Sequence, residues 1–399
     1  MIGTEKRVIE LPEYETVNLP EDRLADDEAE CLWKTYGTQV AVEWPSPKTG
    51  GTWKLTCQGW VGYIPLTPQL GISLQPKLPL GSVFGMLEYA HRLRSFEFLS
   101  GLVRLKSVED FYESLAAILA RRILDRTRKG LYRYYVPEDD ELLSLRGTLD
   151  LGRRLRRPWV VRMPCAYQEH TPDVEENQIL AWTLTRIAAS GLCSERTLPV
   201  VRKARHALQG AATPEPFAPA ACAGRLYNRL NEDYRPMHAL CRFFLENTGP
   251  THVVGDRKML PFMVNMGRLF ELFVGEWLKV HLPADLELRY QEQVYLGEGD
   301  ELQLKIDMVI YDRASGLPRF VLDAKYKGDT APIFPDISQV ATYAMAKHCT
   351  EAVLVYAAPV PGSRSYSPGN VRVRCLTFDV AGDLEEAGQA FLGALLGKM

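Results

Sequence analysis

Residues 320–330 read Phe-Val-Leu-Asp-Ala-Lys-Tyr-Lys-Gly-Asp-Thr, "FVLDAKYKGDT". The stretch begins like a buried strand and ends in turn residues, yet it carries Asp323 and Lys325 two positions apart. Side chains alternate across a strand, so these two project from one face. The preceding segment, "LQLKIDMVIYD" (302–312), places Leu302, Leu304, Ile306, Met308 and Ile310 on one face and Asp307 on the other. "RASGLP" (313–318) between them reads as a turn. A hairpin centred near Ser315 sets Asp307 opposite Asp323. Facing carboxylates repel. A divalent cation turns that repulsion into a site, because Mg²⁺ takes carboxylate oxygens and keeps several waters. Lys325 would then orient a water or steady the charge on a scissile phosphate. The plainer alternative is a solvated salt-bridge patch.

The flanking segments give that hairpin a setting. "MVNMGRLFELFVGEWLKVHL" (263–282) has the periodicity of a long amphipathic helix. Its Glu271 lies four residues from both Gly267 and Gly275, a small-glutamate-small strip that lets the carboxylate approach a neighbour; Glu276 competes for that role. "ADLELRYQEQVYL" (284–296) reads as a strand before the hairpin, and "DISQVATYAMAKHC" (336–349) as a helix after it. On this helix Gln339 and Tyr343 share a face and either contact phosphate, position the lysine or pack. "EAVLVYAA" (351–358) is a further strand, and "VRVRCLTFDV" with a last helix "LEEAGQAFLGALL" closes the unit. Helix, three strands, helix and strand predict a mixed sheet flanked by helices.

Upstream, "TQVAVEW", "TWKLTC", "GWVGYIPL" and "GISLQPKL" are short β-type segments within 35–78, with "SPKTGG" (46–51) as a hairpin tip. Helices are expected from Ser82, from Ser107 with Asp110 three residues on, and from Thr171 with Pro172 at the first helical position. "GAATPEPFAPAACAG" (210–224) reads as a loop and "LNEDYRPMHALCRFFLEN" as a helix. The fold class is multidomain α+β: a β-rich module over 1–100, a mainly helical domain over 101–259, and an α/β domain over 260–399.

Bulk properties bound the function. The 399 residues carry a net charge of −3, which gives no global pull toward nucleic acid or an anionic membrane. Charge is local: 1–30 is acidic, and 121–162 is rich in arginine. The basic stretch either neutralises phosphates or is a solvated helix face with its loop. Eight scattered cysteines show no metal-ligand spacing and suit a reducing compartment. With no signal-like start and no apolar run of spanning length, a cytoplasmic protein without membrane contact is expected. The sequence contains no Gly-x-x-x-x-Gly-Lys-Ser/Thr phosphate loop, so no nucleotide is expected on this chain; "KTGG" (48–51) is too short.

Glu271 on a helix, Asp307 on a strand, Asp323-Ala-Lys325 on the next and Gln339-x-x-x-Tyr343 on a helix together resemble the PD-(D/E)xK nuclease superfamily in its QxxxY variant. "GISLQPKLPLGSVFGMLEYA" (71–90), "LRGTLDL" (145–151), "CAYQEHTPDVEENQIL" (165–180), "RLNEDYRP" (229–236) and "FMVNMGRLFELFV" (262–274) are similar to the McrC family, nuclease subunits of McrBC modified-cytosine restriction systems. The resemblance runs from about residue 60 onward and does not reach 1–35.

What it implies is a restriction-endonuclease-like C-terminal domain that cuts double-stranded DNA carrying modified cytosine. By this resemblance Asp307 and Asp323 would be metal ligands, with Glu271 supporting the metal directly or through water. Lys325 would be catalytic, and Gln339 and Tyr343 supporting. The implied cofactor is Mg²⁺, with Mn²⁺ as a substitute. The implied partner is a McrB-like hexameric AAA+ GTPase, which reads the modification and whose hydrolysis McrC stimulates; self-association through nuclease domains also follows. The 35–78 segment is the candidate for insertion into the partner's pore, or else a plain exposed hairpin. The acidic residues Glu169, Asp173, Glu175 and Glu176 are expected to be structural rather than a second metal site. Two other functions are compatible with the same residues: a stand-alone nuclease of the same core, and a non-cutting factor that stimulates an AAA+ motor.

Overall fold

The computed structural model describes residues 7–91, 107–249, 252–254, 257–296, 302–326, 333–360 and 365–397. Chain contacts divide it into two compact units, residues 1–111 with 249–399, and residues 112–248.

In the first unit the β-type segments form the strands their alternation predicts: β1 (Arg7–Pro12), β2 (Thr16–Leu19), β3 (Val40–Glu43), β4 (Trp53–Cys57), β5 (Trp60–Pro65) and β6 (Leu70–Gln75). Helix α1 (Asp26–Tyr36) precedes β3, and α2 (Leu80–Ala90) follows β6. The acidic N-terminal stretch, unread by the family resemblance, is part of this core. There β1 pairs in parallel with β6, and Leu11, Leu32, Tyr36, Trp53, Leu55 and Ile72 are buried together. Helix α2 starts two residues before the expected cap, and Ser82 is buried inside it.

The second unit is not only helical. Between α3 (Val108–Lys129) and the later helices, β7 (Tyr134–Leu142), β8 (Thr148–Leu149) and β9 (Met163–Thr171) form a three-stranded antiparallel sheet, with α4 (Leu151–Arg156) between β8 and β9. Nearly every residue of β7 is exposed, so it lacks the apolar alternation by which a strand is read. Three longer helices follow: α5 (Glu175–Ala189), α6 (Leu198–Leu208) and α7 (Tyr234–Asn247). The Ser107 cap forms, its Oγ accepting from the Asp110 amide at 3.1 Å. The Thr171–Pro172 start does not. Thr171 stays extended as the last residue of β9, paired with Tyr134, and α5 begins at Glu175.

A small hairpin, β10 (His252–Val254) and β11 (Arg257–Met259), leads to β12 (Phe262–Asn265). β12 pairs antiparallel with β5 and completes the sheet β1-β6-β5-β12. Gly62, at φ +144°, admits the Phe262 carbonyl, which a Cβ would meet at 2.1 Å. This return of the chain explains why contacts group the molecule differently from divisions at 100 and 259.

Helix α8 (Met266–His281) is capped by Asn265 Oδ1, which accepts from the Arg268 amide at 2.9 Å. After it come β13 (Leu286–Leu296), β14 (Leu302–Asp312), β15 (Pro318–Lys325), α9 (Phe334–Ala346), β16 (Glu351–Tyr356), β17 (Ser365–Tyr366), β18 (Arg372–Thr377) and α10 (Leu384–Leu396). The helix and strand order is the one expected. The six-stranded sheet has the order β13-β14-β15-β16-β18-β17 and is mixed: antiparallel through β15, then parallel across β15, β16 and β18. Val340, Ala341 and Ala344 of α9 are buried with Val309, Val321 and Leu354 of the sheet. Elsewhere Phe378 meets the rings of Phe273, Trp277 and Phe391. Burial on this scale, roughly 1.5–3 kcal/mol for each large apolar side chain, holds the strand that carries Asp323 and Lys325 rigidly. No helix among the described residues is long and apolar enough to cross a membrane.

Candidate active site

Strand pairing brings the two aspartates together. Ile310, Val309 and Met308 of β14 face Phe320, Val321 and Leu322 of β15, and one more step sets Asp307 against Asp323. Asp323 is 1 % exposed and Asp307 half-buried. The two carboxyls are close enough to shift one another's ionisation, and the Ala324 amide favours the ionised form of Asp307. Lys325 Nζ lies 2.7 Å from Asp323 Oδ2 and donates to Gln339 Oε1 at 3.1 Å. Gln339 Nε2 in turn donates to the Tyr343 hydroxyl at 2.7 Å. Five of the six sequence-predicted residues thus form one connected chain.

Glu271 stands apart from that chain. Its Oε1 accepts from Gln291 Nε2 at 3.5 Å, and its charge reaches Asp307. Its competitor Glu276 is engaged with Lys279 at 2.7 Å. The glycine reading is sharpened at Gly275, which lies against Tyr290: a Cβ there would meet the Tyr290 hydroxyl at 1.5 Å.

The electrostatics are those of an under-neutralised pair. Burial raises the pKa of Asp323; Lys325 pulls it back, and Asp307 raises it further. Burial also raises Asp307, reinforced by Glu271 and opposed by Asp323, Lys325 and the Ala324 amide. Burial alone would lower Lys325, but Asp323, Asp336 and Asp307 together hold its ammonium above the usual value. Among the described residues, Lys325 is the cation that serves both the buried Asp323 and the half-buried Asp307. Asp323 Oδ2, although close to the ammonium, has no hydrogen bond of good geometry.

A buried carboxylate oxygen whose one close partner is an ammonium, beside a second, half-buried carboxyl, suits a hard divalent ion, and Asp307 and Asp323 are the residues that could hold it. Among the described residues no three His, Cys, Asp or Glu side chains converge on one point. Such a site would use two protein carboxylates and leave its other positions to water and substrate oxygens, a common arrangement for Mg²⁺.

Three features of the surroundings had no readable signal. Asp336, buried in the first turn of α9, adds its charge to the field at Lys325. Gln291 adopts a left-handed backbone within β13. Tyr326, next to Lys325, donates to Glu13 Oε2 at 3.1 Å across 313 positions of sequence. Glu13 is fully buried, and burial pushes its pKa up to about 7.

The acidic cluster of the second unit is arranged otherwise. Asp173 accepts from the Thr213 amide and hydroxyl at 2.8 and 2.7 Å, and from Gln178 Nε2 at 2.9 Å. Burial works against its ionised form, but these bonds outweigh it and its pKa falls below the usual range. Glu175 and Glu176 share Arg225 at 2.9 and 3.0 Å, and Glu169 pairs with Arg146. A cavity of about 520 Å³ beside Asp173, with Thr185, Arg205, Gln209 and Thr213 in its wall, is therefore bordered by an acid already engaged in holding a loop. Part of the basic stretch is likewise used internally. Arg126 donates to the Leu230 carbonyl, Arg153 pairs with Asp139, and Arg154 donates to the Val160 carbonyl.

Comparison with known proteins places the chain in a class. Its fold is similar to that of a chain in the refined half-complex from a tetradecameric assembly of Thermococcus gammatolerans McrB AAA+ hexamers with bound McrC. The identity is 17%, the match covers 98% of this chain and 100% of that one, and the TM-score is 0.55. A chain of the cryo-EM structure of the Thermococcus gammatolerans McrBC complex is 18% identical over 72% of this chain and 90% of its own, at a TM-score of 0.43, too low to argue from. No curated protein matches. The family model described as McrBC 5-methylcytosine restriction system component matches residues 55–357. The chain belongs to that family and is a restriction-system component.

Proposed function

We propose that this chain is the DNA-cutting subunit of a McrBC-type restriction complex, hydrolysing phosphodiesters with a divalent metal. The observation that carries the reading is the buried Asp307–Asp323 pair with Lys325 at the end of a central strand, in a chain of this family. Mg²⁺ between Asp307 and Asp323 would supply an activated water and a positive charge for the developing phosphorane. The chain's own residues do the rest. Lys325 stays charged at neutral pH and is held between Asp323 and Gln339, so its ammonium is preorganised to meet a phosphate oxygen. Tyr343 accepts from Gln339 and fixes the amide that orients the lysine. The arrangement follows the PD-(D/E)xK pattern with QxxxY support.

A McrB-like AAA+ GTPase is the partner this reading requires, since the chain has no phosphate loop of its own. Support comes from the solved assembly of similar fold, in which McrC is bound to McrB hexamers. The 35–78 segment is the proposed contact that stimulates nucleotide hydrolysis.

The test is a cleavage assay of the chain with its partner, GTP, Mg²⁺ and DNA carrying modified cytosine. Asp323→Ala should still stimulate hydrolysis by the partner but lose at least about 10³-fold in cutting, since removing a single preorganised donor to a transition state already costs 10²–10³. Undiminished cutting by Asp323→Ala would remove the site assignment. Stimulation without cutting by the wild type on any DNA would favour a non-cutting factor.

A further inference from the structure

We propose that Gln291 is a positioning residue of this site: it holds Glu271 toward Asp307 and thereby sets the divalent-cation affinity of the Asp307–Asp323 pair. The inference rests on the reading of that pair as a metal site.

The first observation is register. Tyr290 pairs with Met308 and Glu292 with Ile306, so Gln291 lies opposite Asp307, and the ladder is interrupted at that one step. Asp307 in turn lies opposite Asp323, so the three form a row across neighbouring strands.

The second is backbone conformation. Gln291 has φ +46°, and among the described residues only Tyr14 and His348 share positive φ without being glycine. Those two lie outside any strand, whereas Gln291 is in the middle of β13. A left-handed residue other than glycine is strained and persists only where its surroundings over-determine it. Here both neighbours are anchored. Tyr290 is seated on Gly275, while Glu292 accepts from the Tyr311 hydroxyl at 2.7 Å and pairs with Lys347.

The third is the contact obtained in return. The kinked residue turns its amide to Glu271, Nε2 to Oε1 3.5 Å, joining helix α8 to β13, the strand that pairs with the one carrying Asp307. A carboxamide suits this place because it donates without adding charge. A lysine would neutralise the carboxylates in place of the metal, and a glutamate would add to their repulsion. Asparagine tolerates the backbone better but is one methylene shorter.

The experiment is a Mn²⁺ titration of the purified full-length chain by calorimetry, with melting temperature measured in parallel. Gln291→Gly accommodates the backbone and removes only the amide. It should melt at or above the wild-type temperature yet bind Mn²⁺ about 10-fold more weakly, the scale of losing an outer partner of a metal ligand. Because the amide acts through Glu271, Gln291→Gly should add nothing in a Glu271→Gln background. Unchanged Mn²⁺ affinity in Gln291→Gly, or a full additional loss in the Glu271→Gln background, overturns the inference while Asp323→Ala still abolishes binding. If Asp323→Ala binds as the wild type does, the metal-site reading falls and takes this inference with it.

Discussion

Two clusters of acidic side chains occur in this protein, and they differ in how completely their oxygens are satisfied. In the helical unit Glu175 and Glu176 share Arg225, Glu169 has Arg146, and Asp173 receives three donors. On the large sheet Asp307 and Asp323 face one another with Lys325 as their nearest cation, and one buried oxygen has no well-aligned donor. Bonding holds Asp173 of the first cluster in its ionised form, whereas burial disfavours the ionised forms of Asp307 and Asp323 in the second. By sequence the first is the richer in carboxylates, so the number of acids is a poor guide. The balance of donors against acceptors is the better one.

Glu13 separates burial from pairing. It is as buried as Asp323, but among the described residues no second carboxylate acts on it. Its pKa rises from 4.5 to about 7 on folding, so the native state holds its proton more tightly. The stability linked to that proton is complete below pH 4.5 and is lost as pH rises through 7. Glu13→Gln should therefore gain on the wild type by roughly 3 kcal/mol between pH 4 and pH 8, read from paired denaturation curves. A constant difference across that range would show that burial does not tune this acid.

In the satisfied cluster, Glu176→Gln removes a mostly buried partner of Arg225, which retains Glu175. It should cost about 2 kcal/mol in stability and leave Mn²⁺ binding and cleavage unchanged. Lost cleavage in a folded Glu176→Gln protein would make the cluster functional and dissolve the contrast.

The smallest effect is expected at Asp307. In chelator, Asp307→Asn should raise the melting temperature by about 2 °C at pH 8, because a carboxyl whose folded pKa is raised opposes folding once it ionises. The gain should fade as the pH falls into the range where Asp307 is protonated. Added Mn²⁺ should reverse the order by stabilising only the wild type. A variant less stable than the wild type in chelator would place Asp307 with the satisfied acids.

Much of this site was legible because it is built on local rules. Period-two alternation put Asp323 and Lys325 on one face, and a turn near Ser315 placed Asp307 across from Asp323, as the strand register has it. The four-residue helical step joined Gln339 to Tyr343. The illegible parts are those where local pattern is weak or misleading. β7 is exposed along nearly its whole length and has no apolar stripe. Thr171–Pro172 has the chemistry of a helix start, but strand pairing holds Thr171 extended. Nothing in "RYQEQV" (289–294) marks Gln291 as kinked, since glutamine is not a residue chosen for left-handed backbone.

The sequence by itself determined which residue types share a face, and so which side chains, Asp307, Asp323 and Lys325, meet at the end of the hairpin. Only the tertiary structure decided which carboxylates are left short of donors. It also decided that Glu271 meets the sheet through Gln291, and that Glu13 closes over Tyr326. The physical reason is range. Alternation and helical repeat act over two to four residues, whereas desolvation and charge balance depend on everything that packs around a group, from however far along the chain it comes.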